Sequence, residues 1–561
     1  MKKYGILLAS AIIFCNTIAQ AQSAAVKNVA KSVFSLTTFR ADGSLLASSH
    51  GVFVGNDGEA ISDLTPFRGA AKAVVIDQKG NKMDVTRMLG INDIYNVACF
   101  RVSGKTTPAP MASSSLSTGA HAWLIGYAVK NPEIIGTTVK SVETFMDKYA
   151  YYIFGMNAPD NAIACPYVND NGEVIGILQV SNTTFDTHAT DARYINSLTL
   201  NGLSLSNADI RQIGIPIAMP TDLTQAQVTL MMAGQSGDSL KYVAAIDDFC
   251  QLFPTQLDGY DARARLLMRQ NRFDEAAKTM ENAIKQAEKK DEAHYYYGKL
   301  IYDKLVNQPE PAYEKWSIDK AMEELNAAYT LSPQAHYRHL MAQMTFSKKA
   351  YQDAYDMFMS LYQDKDYKNP ELLYEAARCK QMLEAPATEV IALLDSAINT
   401  TDSLNIISAA PYFLARATAY EQVDSFRQAV FDYSRYEYLV QGRVNANFYY
   451  IREQAEVKGH LYQQALTDIA RAIILDPEEP TYIAEMASLQ LRVNLVDQAI
   501  LSAILSAEQC IKVAPDYSDG YLLLGLAQIK KGLKEAGMSN LQKAKELGNP
   551  QADGLIEKYS K

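Results

Sequence analysis

The stretch that decides the fold of the N-terminal half is residues 165–177, which read CPYVNDNGEVIGI. Two short apolar runs flank an Asn/Asp/Gly segment, and Gly172 can supply the positive φ that a tight turn needs. The pattern therefore predicts a β-hairpin. Similar alternations of apolar and polar residues, separated by Thr, Ser and Gly turns, precede a change of composition near residue 220 and predict an all-β domain.

This hairpin resembles the one that follows the nucleophile of trypsin-like serine proteases, above all those of the bacterial HtrA type. Three further stretches resemble strands of that family and occur in the family's order: residues 51–62 (GVFVGNDGEAIS), 96–102 (NVACFRV) and 117–127 (STGAHAWLIGY). The resemblance implies a trypsin-like double β-barrel over residues 25–200.

The resemblance also locates three catalytic slots, and none of them holds a catalytic side chain. Thr65 stands at the histidine slot, Asn96 at the aspartate slot and Ile163 at the serine slot. Acyl transfer needs a nucleophile, a base within hydrogen-bonding distance and a group that orients the base. Ala164 and Cys165 also replace the glycines that let backbone N–H groups form an oxyanion hole. The resemblance therefore implies a pseudoprotease, which keeps the fold without the catalytic residues.

A second interpretation keeps the chain among the enzymes. Cys165 lies two residues beyond the serine slot, and together with His121 and Asn96 it could form a thiol hydrolase site. Cysteine is one of the most often buried residue types, and Cys165 and Cys99 each border an apolar strand, which favours packing in the core. Because the two motifs are neighbours in the family's fold, the resemblance also leaves open a Cys99–Cys165 disulfide in an oxidising compartment.

The N-terminus predicts export. Lys2 and Lys3 precede an apolar run, and Ala-Gln-Ala at residues 19–21 matches a cleavage motif, so residues 1–21 are predicted to be a signal peptide. The apolar run is shorter than a membrane span, and no integral membrane segment is expected. We therefore expect a periplasmic protein, or one that is secreted or associated with the envelope. Removing the two lysines takes the formal charge from −10 to −12, which opposes nucleic-acid binding.

The second half of the chain is helical and repetitive. After a predicted linker at residues 201–222, helical patterns recur over residues 223–561 with a period of about 34 residues. Small residues stand where paired helices would cross, and the clearest copy is residues 521–528, YLLLGLAQ. The pattern resembles the tetratricopeptide (TPR) family and implies an α-helical superhelix of about eight to nine helix pairs. The whole chain is thus expected to be multidomain, all-β followed by all-α.

Such a superhelix binds partners on the concave face that its first helices line. Exposed positions between the packing residues of those helices predict a binding set of Arg265, Tyr295, Lys299, His339, Gln343, Tyr374, Arg378 and Tyr450. Tyrosine and arginine are common anchors of protein interfaces, although in a chain with 34 tyrosines some simply fill the superhelix. His336 and His339 stand three apart, but a third metal ligand is missing nearby, so we predict no metal and no cofactor.

The sequence thus predicts an exported scaffold or adaptor that binds proteins or peptides of the cell envelope. Its trypsin-like domain is expected to be catalytically inactive, and its TPR region is expected to carry the interactions. The alternative is a divergent trypsin-like peptidase, serine-based or Cys165-based, in which the TPR region binds the substrate or a partner. A third interpretation makes the barrels a structural cap on the superhelix.

Overall fold

The computed structural model describes residues 22–159, 161–179, 185–493 and 497–560. The predicted signal peptide, residues 1–21, lies outside the described residues. The chain divides into two compact units, Met1–Tyr296 and Tyr297–Lys561.

The first unit contains two closed antiparallel β-barrels of six strands each. The strand order is β1-β2-β3-β6-β5-β4 in the first barrel and β7-β8-β9-β12-β11-β10 in the second, so both halves repeat one topology. The strands are β1 (Val33–Phe39), β2 (Leu45–Phe53), β3 (Glu59–Ser62), β4 (Lys72–Ile76), β5 (Lys82–Asn92), β6 (Val97–Val102), β7 (His121–Ile125), β8 (Ile134–Phe145), β9 (Tyr149–Phe154), β10 (Pro166–Val168), β11 (Val174–Gln179) and β12 (Thr187–Asp191). The predicted all-β domain is confirmed.

Aromatic side chains fill the barrel interiors. In the first barrel the Phe34 ring lies 4.5 Å from that of Phe53 and 6.0 Å from that of Phe100. In the second barrel the rings of Phe154 and Tyr167 stack 4.0 Å apart. All five side chains are buried, as expected for inward positions of alternating strands.

The predicted hairpin forms between β10 and β11. Gly172 has a φ of 75°, and its N–H donates to the Asn169 carbonyl at 2.9 Å. The Asn169 side-chain oxygen accepts from the backbone N–H groups of Asn171 and Glu173, both at 3.0 Å. A side chain on Gly172 would collide with Ala25, since its Cβ would lie 2.8 Å from the Ala25 carbonyl. Glycine is therefore required at this turn both for its φ and for the close approach of the N-terminal segment.

Helices follow the barrels to the end of the described chain. A short helix α1 (Ala24–Val29) precedes the barrels, and α2 (Ala208–Gln212) follows them. The remaining helices are α3 (Leu223–Gln235), α4 (Ser239–Leu252), α5 (Leu257–Arg269), α6 (Phe273–Gln286), α7 (Lys290–Asn307), α8 (Ile318–Leu331), α9 (Ala335–Ser347), α10 (Tyr351–Tyr362), α11 (Pro370–Met382), α12 (Ala387–Thr400), α13 (Ala410–Gln422), α14 (Phe426–Leu439), α15 (Ala446–Lys458), α16 (Tyr462–Leu475), α17 (Pro480–Val493), α18 (Asp497–Val513), α19 (Ser518–Lys530), α20 (Lys534–Glu546) and α21 (Ala552–Ser560).

Along the described chain, α3 to α20 form nine successive helix pairs, in which the odd-numbered helix comes first. Side-chain caps start several of these first helices. Asp222 accepts from the Gln225 N–H at 2.9 Å, and Asn445 accepts from the Phe448 N–H at 3.0 Å. Over the described residues, none of the helices combines the length and the hydropathy needed to cross a bilayer.

The predicted linker, residues 201–222, is folded rather than extended. Ile213 and Ile215 are buried in the core of the first barrel. The Met88 N–H on β5 donates to the Pro216 carbonyl at 2.9 Å, and the Ala218 N–H donates to the Met88 carbonyl at 2.9 Å. This segment therefore packs against the first barrel and extends its core.

The first helix pairs belong to the same compact unit as the barrels, which differs from the predicted boundary near residue 223. The Arg87 guanidinium on β5 donates to both carboxylate oxygens of Asp248 on α4, at 2.7 and 2.8 Å. In addition, a Cβ on Gly202 would lie only 2.9 Å from the Thr229 backbone of α3. A bidentate ion pair and this close backbone contact explain why α3 and α4 group with the barrels.

Small residues allow paired helices to approach closely. A Cβ on Gly525 of α19 would lie 2.8 Å from the Gly537 carbonyl of α20 and 2.9 Å from Leu541 Cγ. Gly298 of α7 has the same relation to α8, where a Cβ would lie 2.9 Å from the Ala321 carbonyl. Both glycines therefore stand where the two helices of a pair cross closely.

We expect Gly525→Ala to lower the melting temperature of the protein. Alanine normally stabilises a helix relative to glycine by roughly 1 kcal/mol, but here the added Cβ meets backbone atoms that cannot move independently. Gly554→Ala on α21 is the matched control, because a Cβ there meets no atom within 4 Å. Thermal unfolding followed by circular dichroism should show opposite shifts, and equal shifts would contradict the close crossing.

Candidate functional site

The first two catalytic slots lie side by side between the barrels. Thr65 begins a short 3-10 helix, Thr65–Phe67, and its N–H and hydroxyl donate to the Asn96 side-chain oxygen at 3.0 and 2.9 Å. Asn96 adopts a φ of 45° in the turn before β6, and its side-chain amide donates to Gln179 Oε1 at 3.0 Å. Gln179 Nε2 donates back to the Asn96 carbonyl at 3.2 Å. The polar atoms of both slots are thus used in a closed network with the second barrel.

Ile163, at the third slot, is about a third exposed, at 37%. The next residue, Ala164, takes a left-handed φ of 58°, a conformation that favours glycine. The Cys165 N–H donates to the Ala162 carbonyl at 3.0 Å and closes a tight turn. The Cys165 N–H is therefore used within the turn, and the aliphatic side chain of Ile163 lies at the tip of the turn.

A histidine that the sequence analysis missed lies at this turn. His50 on β2 donates from Nδ1 to the Ile163 carbonyl at 3.2 Å, since a carbonyl can only accept. Burial lowers the pKa of His50, which favours the neutral imidazole and leaves Nε2 as an acceptor. His50 directly precedes Gly51, where the resemblance to the protease strand begins. Extending that match by one residue toward the N-terminus would have included His50.

Cys165 and Cys99 are free, buried thiols, so the disulfide that the sequence left open is not formed. Burial raises the pKa of each thiol to about 12, which keeps both sulfurs protonated near neutral pH. His121, the histidine considered for a relocated site, bonds through Nδ1 to Asp170 Oδ1 at 2.9 Å. The core interpretation of both cysteines agrees with these positions.

The side chains at the three slots do not form a nucleophile–base pair. Thr65 and Asn96 satisfy each other, and Ile163 offers no nucleophilic atom. His50 is oriented by a backbone carbonyl rather than by a carboxylate, which differs from the arrangement of a catalytic dyad. The side chain of Ile163 is partly exposed, and the Nε2 of the neutral His50 imidazole beside it is an acceptor.

The predicted binding residues of the helices occupy several environments. In the first unit, Arg265 donates from Nε to Asp261 Oδ1 at 2.9 Å, and the Tyr295 ring lies 5.6 Å from that of Tyr296. In the second unit, Lys299 Nζ lies 3.6 Å from Asp303 Oδ1.

Two of the predicted tyrosines contact tyrosines of the next first helix. The Tyr374 ring on α11 lies 5.0 Å from that of Tyr412 on α13, and the Tyr450 ring on α15 lies 5.3 Å from that of Tyr482 on α17. Both tyrosines are half-buried. They therefore support the packing of neighbouring repeats and also keep part of their surface accessible.

Three of the predicted residues meet around Glu375, which the sequence analysis missed. His339 is buried rather than exposed, and its Nε2 donates to Glu375 Oε2 at 2.5 Å while Nδ1 bonds to the Tyr367 hydroxyl at 3.0 Å. Gln343 Nε2 donates to Glu375 Oε1 at 2.6 Å, and Arg378 lies one turn further along α11. Since both nitrogens of His339 are engaged, the His336/His339 pair is not available to share a metal.

Comparison with known proteins gives no family. No protein-family model matches the chain, and no curated protein matches it.

Proposed function

We propose that this protein is an exported protein-binding scaffold or adaptor of the cell envelope. In this proposal the double barrel is a catalytically inactive trypsin-like domain, and the helix pairs form a TPR superhelix that carries the interactions. The observation that carries the proposal is the direct hydrogen bonding of Thr65 to Asn96, beside a third slot occupied by Ile163. At the first two slots, the catalytic residues of a protease are replaced by Thr65 and Asn96, which hydrogen-bond to each other.

In this proposal a cleft between the barrels binds an extended peptide. Ile163 is partly exposed beside His50, whose Nε2 can accept a hydrogen bond from a peptide N–H. A peptide held there meets no activated nucleophile, so the cleft binds without cutting.

The repeated glycine contacts and the tyrosine pairs of the first helices support the superhelix part of the proposal. Tyr374 and Tyr450 combine a packed ring with accessible surface, which is the character of interface anchors. The N-terminal signal pattern, residues 1–21, supports export.

We expect the purified protein not to label with fluorophosphonate probes and not to hydrolyse casein. Fluorophosphonates need a serine activated by a neighbouring base, and the serine slot holds Ile163. Gel fluorescence after probe incubation, with an active trypsin-like protease as positive control, measures this directly.

Single substitutions make the result decisive. Labelling that disappears after a single Ser→Ala substitution would overturn the inactive assignment. Peptide hydrolysis lost in Cys165→Ala or in His50→Ala would instead identify a divergent peptidase and the residue on which it depends.

A further inference from the structure

A small cavity opens among the helices of the second unit. Its volume is about 240 Å³, and its lining residues come from α7, α9, α10 and α11: Tyr302, Gln343, Phe346, Phe358, Glu375 and Arg378. Sites for small-molecule ligands usually measure roughly 300–1,000 Å³, so this cavity is suited to a single amino-acid side chain.

One wall of the cavity is held rigidly. Each carboxylate oxygen of Glu375 already accepts a hydrogen bond, one from Gln343 at 2.6 Å and one from His339 at 2.5 Å. The Tyr302 hydroxyl donates to the Gln343 carbonyl at 3.3 Å and bonds to Ser347 Oγ at 2.8 Å. Both carboxylate oxygens of Glu375 are therefore held by neighbouring side chains within the wall of the cavity.

Arg378, at the mouth of the cavity, is engaged differently. Its guanidinium lies 4.9 Å from the centre of the Phe346 ring, while its side chain remains exposed. Within the part of the chain that the structure describes, no carboxylate forms an ion pair with it. By contrast, Arg416 and Arg452 on later first helices each pair with two carboxylates. Stacking on an aromatic face leaves the planar N–H fork of an arginine available for a carboxylate.

We propose that this cavity binds the carboxylate side chain of one aspartate or glutamate of a partner protein. The fork of Arg378 receives the two carboxylate oxygens, and the Phe346 ring contacts the methylene groups of the ligand. A cationic side chain fits less well, because Glu375 already has two donors and Arg378 repels positive charge. The inference specifies the ligand class of the proposed protein-binding face and rests on that function.

The test uses a probe with one side-chain carboxylate, N-acetyl-glutamic acid α-methylamide, and its glutamine counterpart as the neutral control. Titration into the 15N-labelled protein should shift the Arg378 Nε–H resonance with a Kd on the order of 1 mM, as expected for a ligand of this size. The glutamine compound should bind at least tenfold more weakly. Equal binding of the two compounds, or no binding of either, overturns the inference.

Three variants separate the site from general charge effects. Arg378→Gln should weaken binding of the glutamate probe at least tenfold, and Arg378→Lys should weaken it less, because lysine keeps the charge and loses the fork. Arg435→Gln is the matched control, since Arg435 also lies over aromatic rings, those of Phe413 and Tyr438. An equal loss in Arg435→Gln would overturn a specific site.

The proposed function and this inference can fail separately. Hydrolase activity of the barrels would overturn the scaffold proposal without affecting probe binding at Arg378. Conversely, failure of the glutamate probe would overturn the cavity assignment even if the barrels are inactive.

Discussion

Arg452→Met should lower the free energy of unfolding of the second unit by about 3–5 kcal/mol, which is the usual effect of breaking a buried ion pair on one side. Arg452 on α15 is 4% exposed and donates to both oxygens of Asp468 on α16, at 2.6 and 3.1 Å. It also donates to Glu437 on α14 at 2.7 Å. Methionine fills a similar volume but removes the bidentate cation of the buried Asp468 carboxylate and leaves it the longer contact to Arg471, at 3.4 Å.

The double variant Arg452→Met/Asp468→Leu distinguishes two causes of the lost stability. One is the loss of the attraction within the ion pair, and the other is the cost of a buried Asp468 charge that has lost its main partner. Because the double variant removes both buried charges, it should recover much of the stability that the single variant loses. Urea unfolding followed by the helical circular dichroism signal measures both variants. A double variant no more stable than Arg452→Met alone would contradict this, because the loss would then come from the missing ion pair and not from an uncompensated charge on Asp468.

An equivalent ion pair occurs one repeat earlier, between the corresponding helices of that repeat. Arg416 on α13 donates to both oxygens of Asp432 on α14, at 2.7 and 2.8 Å. In both repeats the aspartate stands 16 positions after the arginine. The sequence contains this spacing, but only the packed helices reveal that the two side chains face each other.

The fold could be predicted where the signal is local. The hairpin at residues 165–177 follows from the turn chemistry of Asn169 and Gly172, and the helix pairs follow from small residues repeated at a fixed spacing. Residues 214–220, with two prolines and a glycine, are typical of a short stiff linker. Ile213 and Ile215 nevertheless pack into the core of the first barrel, and that contact depends on strands more than a hundred residues earlier.

The candidate site was predicted less completely because its contacts are long-range. His339 has the spacing of an exposed position, yet its two partners lie 28 and 36 residues away in sequence, on the approach to α11 and on α11 itself. His50 reaches Ile163 across 113 residues. Helical and strand periodicity identify which face a residue occupies, but they do not identify which distant side chain will cover it.

Stability should also fall as the pH rises from about 5 to about 8, because two buried glutamates on α15 hold their protons. Burial, followed by the charge of Glu485, raises the pKa of Glu453 to about 8. Burial, followed by the charge of Asp468, raises that of Glu456 to about 8. One oxygen of each carboxyl group is buried without a hydrogen-bond partner, which agrees with the neutral form.

The sign of this pH dependence follows from the number of protons that the folded and unfolded states bind. In the unfolded chain these carboxyls ionise near their usual pKa of 4.5, whereas the folded chain keeps both protons up to about pH 8. Between these values the folded state binds more protons, so raising the pH favours unfolding. Nearby cations, Arg452 and Arg471 beside Glu456 and Arg492 beside Glu453, reduce the effect without reversing it. Because each pKa is raised from 4.5 to about 8, we expect a loss of several kcal/mol between pH 5 and pH 8.5.

Hydrogen exchange of α15 and α16, corrected for the intrinsic pH dependence of exchange, measures this loss where it arises. Glu453→Gln and Glu456→Gln should each remove part of the pH dependence, and the double variant should remove most of it, since glutamine stays neutral throughout. Glu479→Gln is the matched control: hydrogen bonds from the side chain and backbone of Thr481 lower the pKa of Glu479, so its contribution has the opposite sign. If the double variant keeps the full decline in stability toward pH 8.5, these two glutamates are ionised in the folded protein. The charges of Arg452, Arg471 and Arg492 would then have to compensate them.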